Sequence, residues 1–342
     1  MAVLKLCTFG AGYFSQFHYR AWERIKAVHL AGICDRNADA TERVAAQFPT
    51  ARRYTDLETM LDRERPDLLD IIVPPQAHLD AIRAATSRGI NVICQKPFCG
   101  ILGCAQQAAA LAQSSGTTLI VHENFRFQPW YGKLNDLLRG GSLGEVYGAT
   151  FRLRPGDGQG DHAYLERQPY FRDMPRFMVH ETGVHYVDVF RYLFGEVEAV
   201  TARLRRINPS IAGEDAGIVV LEMAGGMTAT LDANRLSDHP ASNRRRTLGE
   251  MLVETEAGAV SISGDGIVSL RRHGENVARP IEYDWQDMDF GGDCVYRTQV
   301  AAVAALLGQA PPVNTASQYL VNLRIEEAIY ESHEQGRRIV LN

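Results

Sequence analysis

A chain of 342 residues is too long for one ordinary hydrophobic core and implies about two domains. Its composition, 45% hydrophobic, 8% aromatic and 23% charged, is that of a folded globular protein, and a net charge of −5 with a pI near 6.1 gives no sign of a nucleic-acid partner. No apolar run approaches the ~20 residues that cross a bilayer. The chain starts directly on a strand-like segment without signal-peptide features, and its cysteines form no Cys-x-x-Cys pair. A cytoplasmic protein with reduced thiols and no membrane partner is expected.

The first strand, 3–9, runs into Gly10-Ala11-Gly12-Tyr13-Phe14-Ser15 and then a helical stretch to about Arg24. This is Gly-x-Gly-x-x-Gly with serine as the third small residue. The first glycine permits the tight turn, the second lets a pyrophosphate approach the backbone, and the third position packs helix on strand. Gly10, Gly12, Tyr13 and Phe14 are therefore expected to border a dinucleotide. The next strand, 28–34, ends at Asp35, about twenty residues past the glycines, where a carboxylate accepts hydrogen bonds from the adenosine ribose. It repels a 2′-phosphate and so favours NAD over NADP, tempered by Arg36 beside it. The competing reading of Asp35 is a helix N-cap.

Alternation continues through helices 38–48 and 55–61, strand 68–73 ending in Pro74-Pro75, helix 76–87, strand 92–98, an alanine-rich helix 103–115 and strand 119–121. Repeated units of this kind specify a doubly wound parallel sheet, an α/β Rossmann domain over 1–122. Within it Lys96 stands at the carboxyl end of a buried strand, where open α/β sheets place ligands. An ammonium there is either chemical or a lysine snorkelling to the surface.

From 123 to 342 the pattern changes to an α+β domain. A helix at 130–139 and a strand at 144–154, closing on Arg154, precede an irregular stretch, 155–176, rich in Gly, Asp, Arg and aromatics. Loops of that length are usually functional, and Asp157, Gln159, Asp161, His162, Tyr164 and Arg172 offer hydrogen-bond donors and acceptors. The helix that follows carries His180-Glu181-Thr182-Gly183-Val184-His185. Glu181 and His185, four apart, are expected on one helical face, with His185 as general base and Glu181 orienting the substrate or the lysine. A plain structural Glu–His pair competes with this. Zinc is a further alternative, because His-Glu-x-x-x-His is close to His-Glu-x-x-His; the extra residue turns the second histidine away and no third ligand follows at a clear spacing, so no metal is assigned. Strands at 197–205, 216–222, 227–233, 252–255, 259–262 and 267–270 read as one large, mainly antiparallel open sheet, closed by helices at 296–307 and 317–335. The run Arg244–Arg246 reads as the solvated tip of a hairpin.

Taken together, Gly10-Ala11-Gly12, Asp35, Val73-Pro74-Pro75-Gln76-Ala77-His78, Gln95-Lys96-Pro97, Asn124 to Pro129, Glu181-Thr182-Gly183-Val184-His185 and the tail from Glu327 to Arg338 resemble the glucose-fructose oxidoreductase/inositol dehydrogenase/MocA (Gfo/Idh/MocA) family over the whole chain. The resemblance implies a nicotinamide dinucleotide and oxidation of a sugar or cyclitol hydroxyl, with an aldose such as a pentose or apiose, oxidised at its anomeric carbon to a lactone, among the candidates. It places Pro74, His78, Gln95, Lys96 and Asn124 near the cofactor. It makes Lys96, His185 and Glu181 catalytic, and Arg126, Arg154, His162, Tyr164, Arg172 and His180 candidate substrate contacts. It also implies a homodimer or homotetramer assembled through the large sheet. Glutamine replaces the family's glutamate before Lys96, proline replaces asparagine at Pro75, and glutamate replaces aspartate at Glu181. A dinucleotide-binding sensor without turnover, and redox-neutral glycoside cleavage or dehydration, are the competing functions.

Overall fold

The structure, a computed structural model, describes residues 2–166 and 168–341. Strands β1 (Leu4–Phe9), β2 (Val28–Cys34), β3 (Arg52–Tyr54), β4 (Leu68–Ile71), β5 (Asn91–Gln95) and β6 (Leu119–His122) form a parallel sheet in the order β3-β2-β1-β4-β5-β6. Helices α1 (Ser15–Arg24), α2 (Ala38–Ala45), α3 (Leu57–Glu64), α4 (His78–Thr86) and α5 (Leu102–Ser115) make the crossovers. The order reverses between β1 and β4, the switch point at which such sheets bind ligands outside their carboxyl ends. The central strands are buried on both sides because helices cover both faces; all four residues of β4 are buried, the polar Asp70 among them. On one face Leu6, Leu30, Ile33, Leu68, Ile93 and Ile120 pack with Tyr19 and Trp22 of α1 and with Ala302 and Val303.

Those last two residues correct the expected boundary. Helix Cys294–Leu306 lies against this first sheet, and the segment after it pairs with β6 through a Val121 N–H bond to Asn314 O. The chain therefore divides into one unit containing residues up to Asn124 with Val295–Val321, and another containing Phe125–Cys294 with the residues from Asn322 onward.

The second unit carries α6 (Pro129–Arg139), β7 (Val146–Leu153), a π-helical turn (Met178–Gly183) continuing into α7 (Val184–Phe194), then β8 (Val197–Arg205), β9 (Ala216–Met223), β10 (Thr228–Asn234), β11 (Gly249–Thr255), β12 (Gly258–Ile262), β13 (Val268–Arg272), β14 (Arg279–Pro280) and β15 (Ile339–Val340). The nine strands form one sheet, β14-β13-β12-β11-β7-β10-β9-β8-β15, antiparallel except for β7 with β10. Strict alternation buries one face only. Phe151 on that face stacks on Tyr186 of α7 at 3.9 Å between ring centres, while Ile218 and Leu252 stand exposed on the other. The hairpin-tip reading of Arg244–Arg246 holds only in part. Arg246 is buried, its guanidinium paired with both Asp265 and Asp287. Among the described residues no helix is long and apolar enough to cross a membrane.

Candidate active site

In the first unit the glycine loop joins β1 to α1. Gly10 has φ +118°, and a Cβ there would lie 2.7 Å from the main-chain carbon and oxygen of Ile72, so no side chain fits. At Gly12 a Cβ would meet nothing within 4 Å. Ser15 begins α1 and donates its hydroxyl to Gly12 O at 2.6 Å, tying the helix N-terminus to the loop. A cleft of about 390 Å³ opens here, lined by Gly12, Tyr13, Gln16, Arg20, Arg43 and neighbours. Asp35 accepts Ala11 N–H at 2.7 Å on one oxygen and Asn37 N–H at 2.9 Å on the other. The N-cap of α2 is Asn37, so the competing reading of Asp35 fails; its half-buried carboxylate braces the glycine loop and has lone pairs beyond those two bonds. Tyr13 and Arg36 are exposed, and Phe14 packs on Phe17 and His18.

Strand β5 ends at Gln95, and Lys96, half-buried, follows at a cis peptide to Pro97. His78 latches the loops after β4 and β5 together. Its Nε2–H donates to Val73 O at 2.8 Å, and its Nδ1 accepts Cys99 N–H at 3.3 Å. Burial pushes its pKa down to about 4 against the opposing pull of the Val73 carbonyl, so the ring is neutral and structural. Pro74 is exposed and Asn124 is buried at the end of the unit.

In the second unit the π-helical turn alters the expected pairing. Glu181 lies within the turn and His185 in α7, so they are not an α-helical i,i+4 pair. The Glu181 carboxylate accepts the Thr182 hydroxyl at 2.9 Å, whereas the His185 ring lies flat on Phe125, 3.8 Å between centroids and 2° apart in plane. Glu214, buried, caps the turn by accepting Phe177 N–H and Val179 N–H and the Tyr330 hydroxyl. His180 Nδ1 lies 2.6 Å from Glu326 Oε1.

The candidate substrate arginines are largely committed elsewhere. Arg126 makes a bidentate pair with Asp188, and Arg154 ties β7 to Asp232. Arg172 donates to Asp161 O, and His162 is exposed on the loop. Tyr164 is a core residue of the 155–176 segment, packed with Phe171, Phe177 and Ile211. At the centre of that packing lies Arg235, which sequence reading missed. Its guanidinium is 4.7 Å from the Phe177 ring centre and pairs with Asp157 at 2.7 Å. It also donates to Tyr164 OH at 3.1 Å and to Thr182 Oγ1 at 2.7 Å. Burial alone would lower its pKa, but the attraction of Asp157 and then Tyr164 holds it well above its ordinary value. Its only signal in the sequence is an arginine directly after a strand, at Asn234-Arg235.

A doubly wound parallel sheet that opens on this glycine loop, with an acid at the end of the second strand, is the frame of a dinucleotide-binding domain. The family model described as an oxidoreductase family with an NAD-binding Rossmann fold matches residues 4–123, and that of the GFO/IDH/MocA C-terminal domain matches 131–251. The chain belongs to the Gfo/Idh/MocA family, with NAD as its cofactor. It is similar to a D-apiose dehydrogenase of Paraburkholderia graminis, at 29% identity over 97% of this chain and 88% of the relative. It is also similar to one of Rhizobium rhizogenes, at 32% identity over 70% and 69%. Among solved structures, an oxidoreductase from Agrobacterium radiobacter in complex with NAD+, L-tartaric acid and magnesium matches with a TM-score of 0.87 and 26% identity over 98% of each chain. The open space at Gly12 and the bracing carboxylate of Asp35 fit the pyrophosphate and ribose of NAD.

Proposed function

We propose that this chain is an NAD-dependent sugar dehydrogenase that oxidises D-apiose or a closely related aldose at its anomeric carbon to the lactone. The observation that carries this reading is Lys96, fixed at the carboxyl end of β5 in a chain whose relatives include two D-apiose dehydrogenases. Bound NAD supplies the hydride acceptor. Lys96 donates a hydrogen bond to the reacting oxygen and stabilises its alkoxide character as the carbon loses hydride. His185 accepts the hydroxyl proton on a ring nitrogen, its plane held by Phe125. Glu181, oriented by Thr182 and through it by Arg235, holds a substrate hydroxyl. The open face of the nine-stranded sheet, with Ile218 and Leu252 exposed, is a surface suited to assembly with a second copy, and the protein acts in the cytoplasm.

The test is steady-state NADH formation from D-apiose, D-xylose and myo-inositol with NAD or NADP, with products followed by NMR. The highest kcat/KM is expected for D-apiose with NAD, with a lactone that opens to the aldonate. Turnover with no net NADH would show redox-neutral chemistry, and tight NAD binding with no turnover of any polyol would show a sensor.

A further inference from the structure

Beneath Lys96 runs a chain of buried polar side chains that the dehydrogenase reading leaves without a role. Lys96 N–H donates to Gln95 Oε1 at 2.7 Å, Gln95 Nε2 lies 2.9 Å from His18 Nε2, and His18 Nδ1 lies 2.8 Å from Asp70 Oδ2. The same Asp70 oxygen accepts Trp22 Nε1–H at 2.7 Å. His18 and Asp70 are 0% exposed and Gln95 is 8% exposed. The chain crosses three elements: α1 provides His18 and Trp22, β4 provides Asp70, and β5 ends in Gln95. His122 of β6 lies against the His18 ring at 4.3 Å between centroids.

The bonding pattern orders donors and acceptors from Lys96 to His18. A backbone N–H can only donate, so the Gln95 amide oxygen faces Lys96 and its NH2 faces His18. An NH2 can only donate in turn, so His18 Nε2 presents a lone pair. The ring's single proton then sits on Nδ1 and is donated to the Asp70 carboxylate. Glutamate at position 95 would set a carboxylate against that lone pair unless the ring gained a second proton. Glutamine is the residue that fits a neutral His18.

We propose that Asp70, His18 and Gln95 form a positioning relay for Lys96. Asp70 fixes the His18 tautomer, His18 fixes the Gln95 amide, and Gln95 holds the Lys96 main chain, so the ammonium is presented from a fixed point. The proposal rests on Lys96 being the group that polarises the reacting oxygen. Burying a carboxylate and an imidazole is costly, and apolar side chains of the same volume would pack β4 against α1 as well. The relay to Lys96 gives these buried groups a role that packing alone does not.

The experiment uses the full-length, NAD-loaded protein. Long-range proton–nitrogen NMR of the histidine rings reads the tautomer directly: a single proton on His18 Nδ1 is expected, and a proton on Nε2 would overturn the relay whatever the substrate. Kinetics with D-apiose then compare two substitutions. His18→Asn keeps the bond to Asp70 but cannot reach Gln95; His18→Gln places an amide oxygen near the Nε2 position and keeps Gln95 engaged. His18→Asn is expected to lower kcat about tenfold or more, with KM and NAD affinity within about threefold, and His18→Gln to recover kcat to within about threefold of the parent. A folded His18→Asn protein with unchanged kcat overturns the relay. If neither His18 variant folds, Gln95→Met replaces them under the same criterion. Lys96→Met separates the two claims. A fully active Lys96→Met removes the role of Lys96, whereas an inactive one beside unaffected His18 and Gln95 variants removes the relay alone.

Discussion

Replacing Arg235 by methionine removes the charge around which the 155–176 segment is packed while keeping most of the apolar volume. The Arg235 side chain is 5% exposed and its partner Asp157 is 24% exposed. Breaking a fully buried pair costs about 3–5 kcal/mol, because the remaining charge has no compensation. Asp157 can partly rehydrate, which puts this pair near the lower end, about 3 kcal/mol. Loss of the bond to the neutral Thr182 hydroxyl adds about 1 kcal/mol. Methionine retains contact with Phe171 and Phe177, so the expected loss is about 3–4 kcal/mol. At about 2–4 °C per kcal/mol for a unit of this size, the second unit should melt roughly 10 °C lower in scanning calorimetry. Because Thr182 connects Arg235 to Glu181, kcat should fall as well. Arg235→Lys should recover only part of either loss, since one ammonium cannot serve Asp157, Tyr164 and Thr182 together. A melting point within about 2 °C of the parent would refute the view that this guanidinium anchors the loop.

His78 predicts a pH dependence of stability. Its ring titrates at about 4 in the fold and near 6.5 unfolded, so above pH 6.5 it contributes no pH dependence. As pH falls from 6.5 toward 4 the unfolded chain takes up a proton that the native one refuses, and about 3 kcal/mol is lost at a limiting slope of about 1.4 kcal/mol per pH unit. Urea midpoints measured across this window should flatten in His78→Gln; an unchanged slope would contradict the assignment. Gly10→Ala and Gly12→Ala should separate folding from binding. The first forces a Cβ into the Ile72 backbone at positive φ and should lower the melting point by several degrees. The second meets open space, so it should leave the melting point within about 2 °C while weakening NAD binding by about tenfold or more in calorimetric titration. Asp35→Ala should weaken NAD about tenfold and narrow its advantage over NADP, because it removes both a ribose acceptor and the charge that repels a 2′-phosphate; an unaltered NAD-to-NADP ratio would remove Asp35 from cofactor selection.

The first half of the fold was readable because βα units are written locally. Apolar strands, a glycine loop and an acid one strand later need no knowledge of distant partners. What could not be read depended on partners remote in sequence or on polar signals. Arg52-Arg53-Tyr54 has no apolar run, yet β3 forms because an edge strand needs only the ladder to β2. Helix Cys294–Leu306 joins the first sheet through Ala302 and Val303, and no periodicity within the helix says which sheet it covers. The π-helical turn keeps the apolar spacing of an α-helix closely enough to pass for one. Arg126 and Arg154 looked available because their carboxylates lie 62 and 78 residues further along the chain. Arg246 seemed solvated for the same reason, its partners Asp265 and Asp287 being distant in sequence.

In the proposed reaction Lys96 acts on a sugar hydroxyl, and this role has its own assay. It is tested most directly by NADH formation from D-apiose under saturating NAD, comparing the parent with Lys96→Met at matched NAD occupancy. Loss of a hydrogen-bond donor that acts in the transition state should lower kcat by about 10²–10³-fold while NAD affinity is kept. Turnover by Lys96→Met at the parent rate would contradict the account.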